Sequence, residues 1–256
     1  MQGEFVVVGY KLHGSGPVCV LALHGWFGDA TDFDNVAAAL DPRVYSVAAV
    51  DYRGYGKSIE LPGPFTIAQI AQDALDLADR LGWTSFDVIG HSMGGKAALR
   101  LAALAPKRVR RVVGVTPVFA APVPFDCDTV DLFARAADEI SLRANIISTT
   151  TGDRLSSYWS NKMAQRSTAN SRKDAFAAYF RSWSGDDHID DVPAVQQPIL
   201  VLGGTYDASL TEEVLRATWM ASFPQAQLQM LPDAGHYPMM EAPLSLASRI
   251  ETFLAD

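Results

Sequence analysis

The sequence predicts an α/β protein in which helices flank a mostly parallel central sheet. Short apolar runs without polar alternation, which are typical of strands buried on both faces, alternate with amphipathic segments of helical spacing. This alternation stops after Thr116-Pro117, where prolines and short helical segments follow. We therefore expect a core formed by residues 1–117 and 191–256, and a helical cap formed by residues 118–190.

The first part of the core shows the alternation in order. Strands are predicted over Glu4–Tyr10, Lys11–His13, Val18–Leu23, Val44–Val50, Ser85–Gly90 and Arg111–Val115. Helices are predicted over residues 32–40, 66–81 and 92–106. For the helix over 66–81, Thr66 is a suitable N-cap and Gly82 a suitable C-cap.

The insertion and the last part of the core follow. Short helices are predicted over residues 128–140, 156–165 and 172–182, and aromatic residues are frequent between and within them. The order of the core returns with strands over 198–204 and 226–231 and with helices over 211–222 and 243–254. Because an apolar insertion at one edge of a sheet can cover a cavity, we expect it to lie over a substrate pocket.

A serine lies at the turn between a predicted strand and a predicted helix. Gly90, Ser92 and Gly94 match the pattern G-x-S-x-G, with an apolar run before them and a run rich in alanine and leucine after them. Such a turn presents the serine hydroxyl at the end of a sheet, and its glycines avoid collisions that larger side chains would cause. The sequence therefore predicts Ser92 as a catalytic nucleophile.

A serine nucleophile needs a base that takes its proton and an acid that orients the base. Among the five histidines, we select His236, which lies in a loop directly after a predicted core strand, is preceded by Gly235 and is followed by a helix. Asp207 lies in the loop after the preceding core strand. The sequence predicts His236 as the base and Asp207 as the acid. Asp233 and Glu241 are nearer to the histidine, but they belong to its own loop and to the start of the next helix.

Backbone N–H groups are expected to stabilise the oxyanion of the reaction. Met93 follows the predicted nucleophile and Trp26 lies in the loop after the strand over 18–23, so we expect these two residues to supply the donors. The expected substrate pocket draws side chains from that loop, from the insertion and from the segment after the histidine, namely His24, Phe27, Phe119, Trp159, Trp183 and Tyr237. Neither a metal ion nor an organic cofactor is expected.

Composition and charge narrow the function classes. A chain of 256 residues with 48% hydrophobic and 20% charged residues suits one globular domain with an insertion. A formal net charge of −8 and a pI near 5.1 argue against a nucleic-acid or membrane-binding surface. The two cysteines lack metal spacing and the first residues lack the pattern of a signal peptide, so we expect a cytoplasmic protein. A monomer and a homodimer both remain open.

Taken together, these motifs resemble the α/β-hydrolase superfamily over nearly the whole chain. The resemblance rests on His24-Gly25, on Asp51-x-Arg53-Gly54-x-Gly56-x-Ser58, on Gly90-His91-Ser92-Met93-Gly94-Gly95, on Asp207 after Leu-Gly-Gly, and on Gly235-His236. The segment from Gly90 to Lys96 is especially similar to small intracellular esterases of that superfamily. The serine at position 92 differs from the aspartate nucleophile of its dehalogenases and epoxide hydrolases.

The resemblance implies a serine hydrolase that cleaves an ester-type bond, a carboxylic ester or a lactone, through an acyl-enzyme intermediate. The apolar composition of the insertion favours a small, fairly apolar substrate. The same superfamily includes enzymes and receptors with other activities. A C–C bond hydrolase, a perhydrolase and a ligand-binding regulator with slow turnover therefore remain as alternatives.

Overall fold

The structure, a computed structural model, describes residues 7–255. Its strands are β1 Tyr10–His13, β2 Val18–Leu23, β3 Tyr45–Val50, β4 Phe86–His91, β5 Val109–Val115, β6 Ile199–Gly204 and β7 Ala226–Leu231. Within the described range they form one seven-stranded sheet in the order β1-β3-β2-β4-β5-β6-β7. Strand β1 is antiparallel to β3, and every other pairing in this sheet is parallel.

Helices connect the strands and cover the sheet. They are α1 Asp34–Ala38, α2 Ile67–Arg80, α3 Met93–Leu104, α4 Cys127–Arg135, α5 Ile140–Thr150, α6 Ser157–Ala169, α7 Lys173–Gly185, α8 Glu212–Leu215, α9 Pro238–Glu241 and α10 Pro243–Ala255. Short 3-10 segments lie at Ala30–Phe33, Gly56–Ser58 and Ile189–Ala194, and α8 continues into a π-helical turn at Arg216–Met220. Within residues 7–255, no helix combines the length and the apolar character needed to cross a membrane.

The central strands are buried on both faces, as their apolar sequences predict. Every residue of β3, β4 and β6 is buried, which requires helices on both sides of the sheet. The parallel order and this burial confirm the predicted fold class. The cap at the start of α2 is also as expected, because the Thr66 hydroxyl accepts a hydrogen bond from the Gln69 N–H at 3.2 Å.

The N-terminal strands differ from the prediction. A strand was expected over Glu4–Tyr10, but residues 7–9 are not part of a strand and residues 4–6 lie outside the described residues. One strand, β1, begins at Tyr10 and continues to His13, pairing along its whole length with β3. The edge position of β1 explains its shortness, since it has a partner on one side.

Four helices, α4 to α7, lie between β5 and β6, and we call residues 118–190 the helical insertion. Helix α5 is absent from the sequence prediction beyond its first residue, Ile140. Its second half, from Ile146 to Thr150, is rich in β-branched residues, which have low helix propensity. Tertiary packing offsets that propensity, because Ile146 and Ile147 are buried and α5 packs along α6.

Candidate active site

Ser92 lies on a sharp turn between β4 and α3. Its backbone has φ 52° and ψ −118°, a conformation that a residue with a side chain rarely adopts outside a functional turn. The turn is also tightly packed, since a Cβ added at Gly90 would lie 2.2 Å from the carbonyl oxygen of Gly94. The local backbone thus requires glycine at this position and holds the serine at the carboxyl end of the sheet.

The structure brings Ser92, His236 and Asp207 together from three different loops. The distance between Ser92 Oγ and His236 Nε2 is 3.0 Å, and that between His236 Nδ1 and Asp207 Oδ2 is 2.6 Å. Each residue follows a strand of the sheet, namely β4, β7 and β6. In parallel strands the carboxyl ends share one edge, which explains why distant residues of the sequence meet here.

The hydrogen bonds fix the roles of both nitrogen atoms of His236. The carboxylate of Asp207 can only accept, so Nδ1 carries the proton and Nε2 is left to accept from the Ser92 hydroxyl. The other oxygen of Asp207, Oδ1, accepts from the backbone N–H groups of Ser209 at 2.9 Å and Leu210 at 3.0 Å. These contacts hold the carboxylate in one orientation. The arrangement can transfer a proton from the serine to the histidine while the aspartate stabilises the charge.

Two side chains that the sequence analysis passed over hold the main chain of His236. Its carbonyl oxygen accepts from His91 Nε2 at 2.7 Å and from Thr116 Oγ1 at 3.0 Å. Its backbone N–H donates to the Thr150 carbonyl at 3.2 Å, in the helical insertion. His91 and Thr116 end or follow adjacent strands, β4 and β5. Their positions at the same sheet edge as Ser92 are the sequence feature that could have indicated a role in the site.

Glu241 has a structural part in the same loop. Its carboxylate accepts from the backbone N–H groups on either side of the histidine, those of Gly235 and Tyr237, each at 2.8 Å. Arg154 of the helical insertion pairs with this carboxylate and also donates to the Asp233 carbonyl at 3.0 Å. Glu241 therefore shapes the loop, whereas the imidazole ring takes its carboxylate partner from Asp207.

The loop after β2 passes directly beside the serine. A Cβ added at Gly25 would lie 3.3 Å from Ser92 Cβ and 2.6 Å from His91 Nδ1, so no larger residue fits there. The backbone N–H groups of Trp26 and Met93 have no hydrogen-bond partner among the described residues. Met93 is the first residue of α3, where helix N–H groups are free and the helix dipole is positive.

The indole of Trp26 connects this loop with the helical insertion. Its Nε1–H donates to the Phe176 carbonyl at 2.8 Å, and its rings stack on Phe176 with centroids 4.1 Å apart. The Trp26 carbonyl accepts from the Tyr55 hydroxyl at 3.0 Å. Both interactions are buried, and they fix the direction of the backbone next to Ser92.

A mostly apolar pocket opens over Ser92 and His236, and the space within it together with its open mouth is about 630 Å³. Phe27, Trp183 and Tyr237 line it, as does Trp26. The sequence analysis did not place the remaining wall, which comes mainly from the helical insertion and consists of His91, Val118, Val123, Phe125, Phe133, Ile146, Thr150, Ser209 and Leu210. Apolar residues in a pocket wall have no sequence signature, because the same residue types occupy the hydrophobic core.

Three side chains expected in the pocket wall lie elsewhere. His24 is buried beneath the loop and stacks on Tyr52 with ring centroids 3.8 Å apart. Phe119 turns away from the pocket and packs edge-on against Trp219 at 6.0 Å. Trp159 contacts the ring of Tyr237 at 5.8 Å and does not line the pocket itself. His24 and Phe119 pack instead against the buried rings of Tyr52 and Trp219, and Trp159 packs against Tyr237, which itself lines the pocket.

Comparison with known proteins defines the class. Residues 18–243 match the family described as alpha/beta hydrolase fold. The chain therefore belongs to the α/β-hydrolase fold family, and the resemblance seen in its motifs is confirmed. Its relatives include esterases and lipases, and the chain is a hydrolase like them.

Particular relatives cover almost the whole chain. The chain is 27% identical to the esterase YbfF of Escherichia coli, with 95% of each chain covered. It is 28% identical to the mouse sn-1-specific diacylglycerol lipase ABHD11, over 92% of this chain and 80% of the relative. Among solved structures, a thermophilic esterase from Thermogutta terrifontis superposes with a TM-score of 0.84 and 26% identity, covering 97% of this chain and 93% of that one.

Proposed function

We propose that this protein is a serine hydrolase that cleaves a carboxylic ester or a lactone of a small, fairly apolar substrate. The observation that carries the proposal is the hydrogen-bonded chain from Ser92 through His236 to Asp207 at the floor of the apolar pocket. The esterase and lipase relatives support the same bond type. The sparse polar groups of the wall favour a substrate whose polarity is concentrated at the reacting carbonyl.

The proposed reaction has two halves. In the first, Ser92 attacks the carbonyl carbon, His236 accepts its proton, and Asp207 stabilises the imidazolium that results. The N–H groups of Trp26 and Met93 hold the oxyanion, each contributing about 3–4 kcal/mol to transition-state stabilisation. His236 then protonates the leaving alcohol. In the second half the histidine activates a water molecule, which cleaves the acyl-enzyme and regenerates the serine.

The helical insertion has a part in this proposal as a cap that selects the substrate. Phe125, Phe133 and Trp183 line the same pocket as Ser92 and would contact the part of the substrate that does not react. A lactone would pass through the same steps, with its leaving alcohol still attached to the acyl group. Its compact ring would fill such a pocket without an extended chain.

The test is hydrolysis of p-nitrophenyl esters from acetate to decanoate by the wild type and by Ser92→Ala. We expect turnover by the wild type and a loss of at least about 10³-fold in kcat in the variant, because the hydroxyl that is hydrogen-bonded to His236 is removed. Ser248→Ala, which makes the same chemical change at an exposed position of α10, serves as the control and is expected to retain full activity. Full activity of Ser92→Ala would contradict the mechanism.

Product analysis separates the proposal from its rivals. Acid and alcohol as the only products support ester hydrolysis, whereas peracid formed in the presence of hydrogen peroxide would favour a perhydrolase. A rapid burst of nitrophenol followed by a stalled steady state would favour a ligand-binding regulator. Inertness of the wild type toward every ester and lactone would overturn the proposed bond type.

A further inference from the structure

Lys96 lies one turn into α3, and it is completely buried. Its ammonium donates to three backbone carbonyls, those of Ala121 at 3.1 Å, Trp183 at 3.1 Å and Asp186 at 2.5 Å. An ammonium has three N–H groups, so each of them has a partner. Burial lowers the pKa of Lys96 to about 8, against the attraction of the Asp186 and Asp187 carboxylates, and the side chain therefore still carries its charge at pH 7.

The three carbonyls belong to both ends of the helical insertion. Ala121 lies in the segment that leads from β5 towards α4, while Trp183 and Asp186 lie at the C-terminal end of α7. The C-terminal end of a helix has free carbonyls and a negative partial charge, which favours a cation at this place. One buried cation thus joins the beginning and the end of the insertion to the helix that starts next to Ser92.

The contact to Trp183 connects this cation with the substrate pocket. The Trp183 ring is part of the pocket wall and packs edge-on against Phe125 and Phe133, which also line the pocket. Helix α3 carries both Ser92 at its N-cap and Lys96 in its first turns, so the helix that begins at the serine also binds the backbone of Trp183. Lys96 itself does not line the pocket.

We propose that Lys96 is a positioning residue that sets substrate size by holding the Trp183 wall close to Ser92. The inference rests on the proposed ester hydrolysis and adds a determinant of its selectivity. Without the ammonium, three carbonyls lose their donor, and a buried unpaired polar group is costly, so the ends of the insertion move towards water. The wall then recedes from Ser92, and longer acyl chains fit.

The chain offers a matched control in the same helix. Arg100 lies one turn after Lys96 and its Nη1 donates to Asp191 Oδ1 at 2.5 Å, just beyond the insertion. It is a second cationic connection from α3 to this part of the chain, but its hydrogen bond goes to Asp191 and not to Trp183 or Ala121. If any loosening near α3 changed selectivity, Arg100→Met would change it as well.

The experiment compares Lys96→Met and Arg100→Met with the wild type on p-nitrophenyl acetate and decanoate. We expect Lys96→Met to raise the ratio of kcat/KM for decanoate over acetate by about tenfold or more, since a few accommodated methylenes suffice for that factor. The kcat for acetate is expected to stay within about threefold of the wild type, because no hydrogen bond of the triad side chains involves Ala121, Trp183 or Asp186. Arg100→Met is expected to leave the ratio unchanged.

Two further measurements keep the test decisive. Lys96→Gln retains two donors and is expected to fold if Lys96→Met does not, with a change of the ratio in the same direction. The double variant Lys96→Gln/Trp183→Leu is expected to have the selectivity of Trp183→Leu alone, because the lysine acts through that wall. An unchanged ratio in the lysine variants, an equal change in Arg100→Met, or additive effects in the double variant would overturn the proposal.

Binding without turnover separates this inference from the proposed function. The affinities of 1-butanol and 1-decanol, followed by tryptophan fluorescence, report pocket length whether or not the protein hydrolyses esters. A wild type that is inert on esters would contradict the proposed function. A shift towards decanol in Lys96→Met, absent in Arg100→Met, would still support the role of Lys96, and no shift would contradict it.

Discussion

The carboxyl edge of the sheet and the helical insertion face each other across one pocket, but different interactions position their side chains. Ser92, Asp207 and His236 each follow a strand, so the hydrogen-bonded ladder of the sheet sets their spacing. The wall opposite comes from helices that touch the core through aromatic stacking and buried cations. Strands that pair along their length set the positions at the edge of the sheet, whereas the wall is positioned by the packing of helices and by single hydrogen bonds to the core.

Helix α4 shows how lightly one part of the wall is held. None of its residues is buried, yet Phe133 on this helix lines the pocket. By contrast, every residue of β4, which leads into Ser92, is buried. Segments with few buried contacts open at low free-energy cost. The comparison therefore predicts that substitutions at the sheet edge change kcat and that substitutions in the wall change KM.

The largest effect is expected for Asp207→Asn at the sheet edge. The side-chain oxygen of the asparagine would still accept the hydrogen bonds from the N–H groups of Ser209 and Leu210. The NH₂ group of the asparagine would then face His236 Nδ1. His236 would then carry its proton on Nε2 and could not accept one from Ser92. We expect kcat to fall about 10⁴-fold with little change in the melting temperature. Asp233→Asn, in the loop of the histidine, is the control and is expected to keep its kcat.

Steady-state kinetics of both variants test this assignment of the acid. Substantial activity in Asp207→Asn, or an equal loss in Asp233→Asn, would mean that another carboxylate orients the histidine. Glu241 is the remaining candidate, but its oxygens already accept from the backbone on both sides of His236.

The sheet edge is also the part that the sequence describes best. Apolar runs identify β2, β4 and β6, and the loop after such a run is where functional side chains are expected, so Ser92, Asp207 and His236 could be predicted from their positions in the chain. The positions of His91 and Thr116 at the same edge were visible too. Their partner, the His236 carbonyl, was not, because a backbone group has no sequence signature.

A smaller loss of kcat is expected for His91→Leu. This change removes one of the two donors to the His236 carbonyl and leaves only Thr116 Oγ1. A displaced imidazole transfers protons less efficiently, and misplacements of about 1 Å cost up to about 10²-fold, so we expect a kcat between about tenfold and 10²-fold lower. His91→Gln, whose Nε2 can replace the imidazole donor, is expected to restore most of the activity. A loss confined to KM would indicate that His91 acts on the pocket instead.

The wall is expected to respond in KM. Phe133→Ala removes a ring from the pocket wall, so we expect KM for the hexanoate ester to rise about tenfold while kcat changes little. Phe119→Ala is the matched control, because this insertion ring packs against Trp219 and does not line the pocket. The control is expected to lose stability with an unchanged KM. The opposite pattern would reverse the assignment of the two rings.

The wall is the part that the sequence describes poorly, and the reason is physical. Phe119 and Phe133 are both half-buried aromatic residues in the insertion, and nothing in their neighbourhood along the chain distinguishes them. Which ring faces the cavity depends on how the helices of the insertion pack, and helices lack the fixed register of paired strands. One of these helices, α5, forms although its second half has a low helix propensity. The packing of the helices therefore decides which residues of the insertion line the pocket.

The smallest effect concerns stability against pH. Burial lowers the pKa of His91 well below its ordinary value, and the neighbouring His236 acts in the same direction. The folded protein therefore keeps His91 neutral while the unfolded chain takes up a proton below about pH 6.5, so this contribution to stability is complete above that pH and is lost as the pH falls. Each such histidine adds a slope of about 1.4 kcal/mol per pH unit to the free energy of unfolding.

His91→Gln removes this titration while keeping the donor to the His236 carbonyl. Urea unfolding of both proteins at pH 7.5 and pH 5.5 is expected to show that the variant loses about 1.4 kcal/mol less than the wild type over this interval. His24, whose pKa is also lowered by burial, titrates in both proteins and cancels in the difference. Equal losses would mean that His91 takes up its proton within the folded protein. The sheet edge would then admit water more readily than the burial of its residues indicates. The sheet edge and the wall would differ less than the structure indicates.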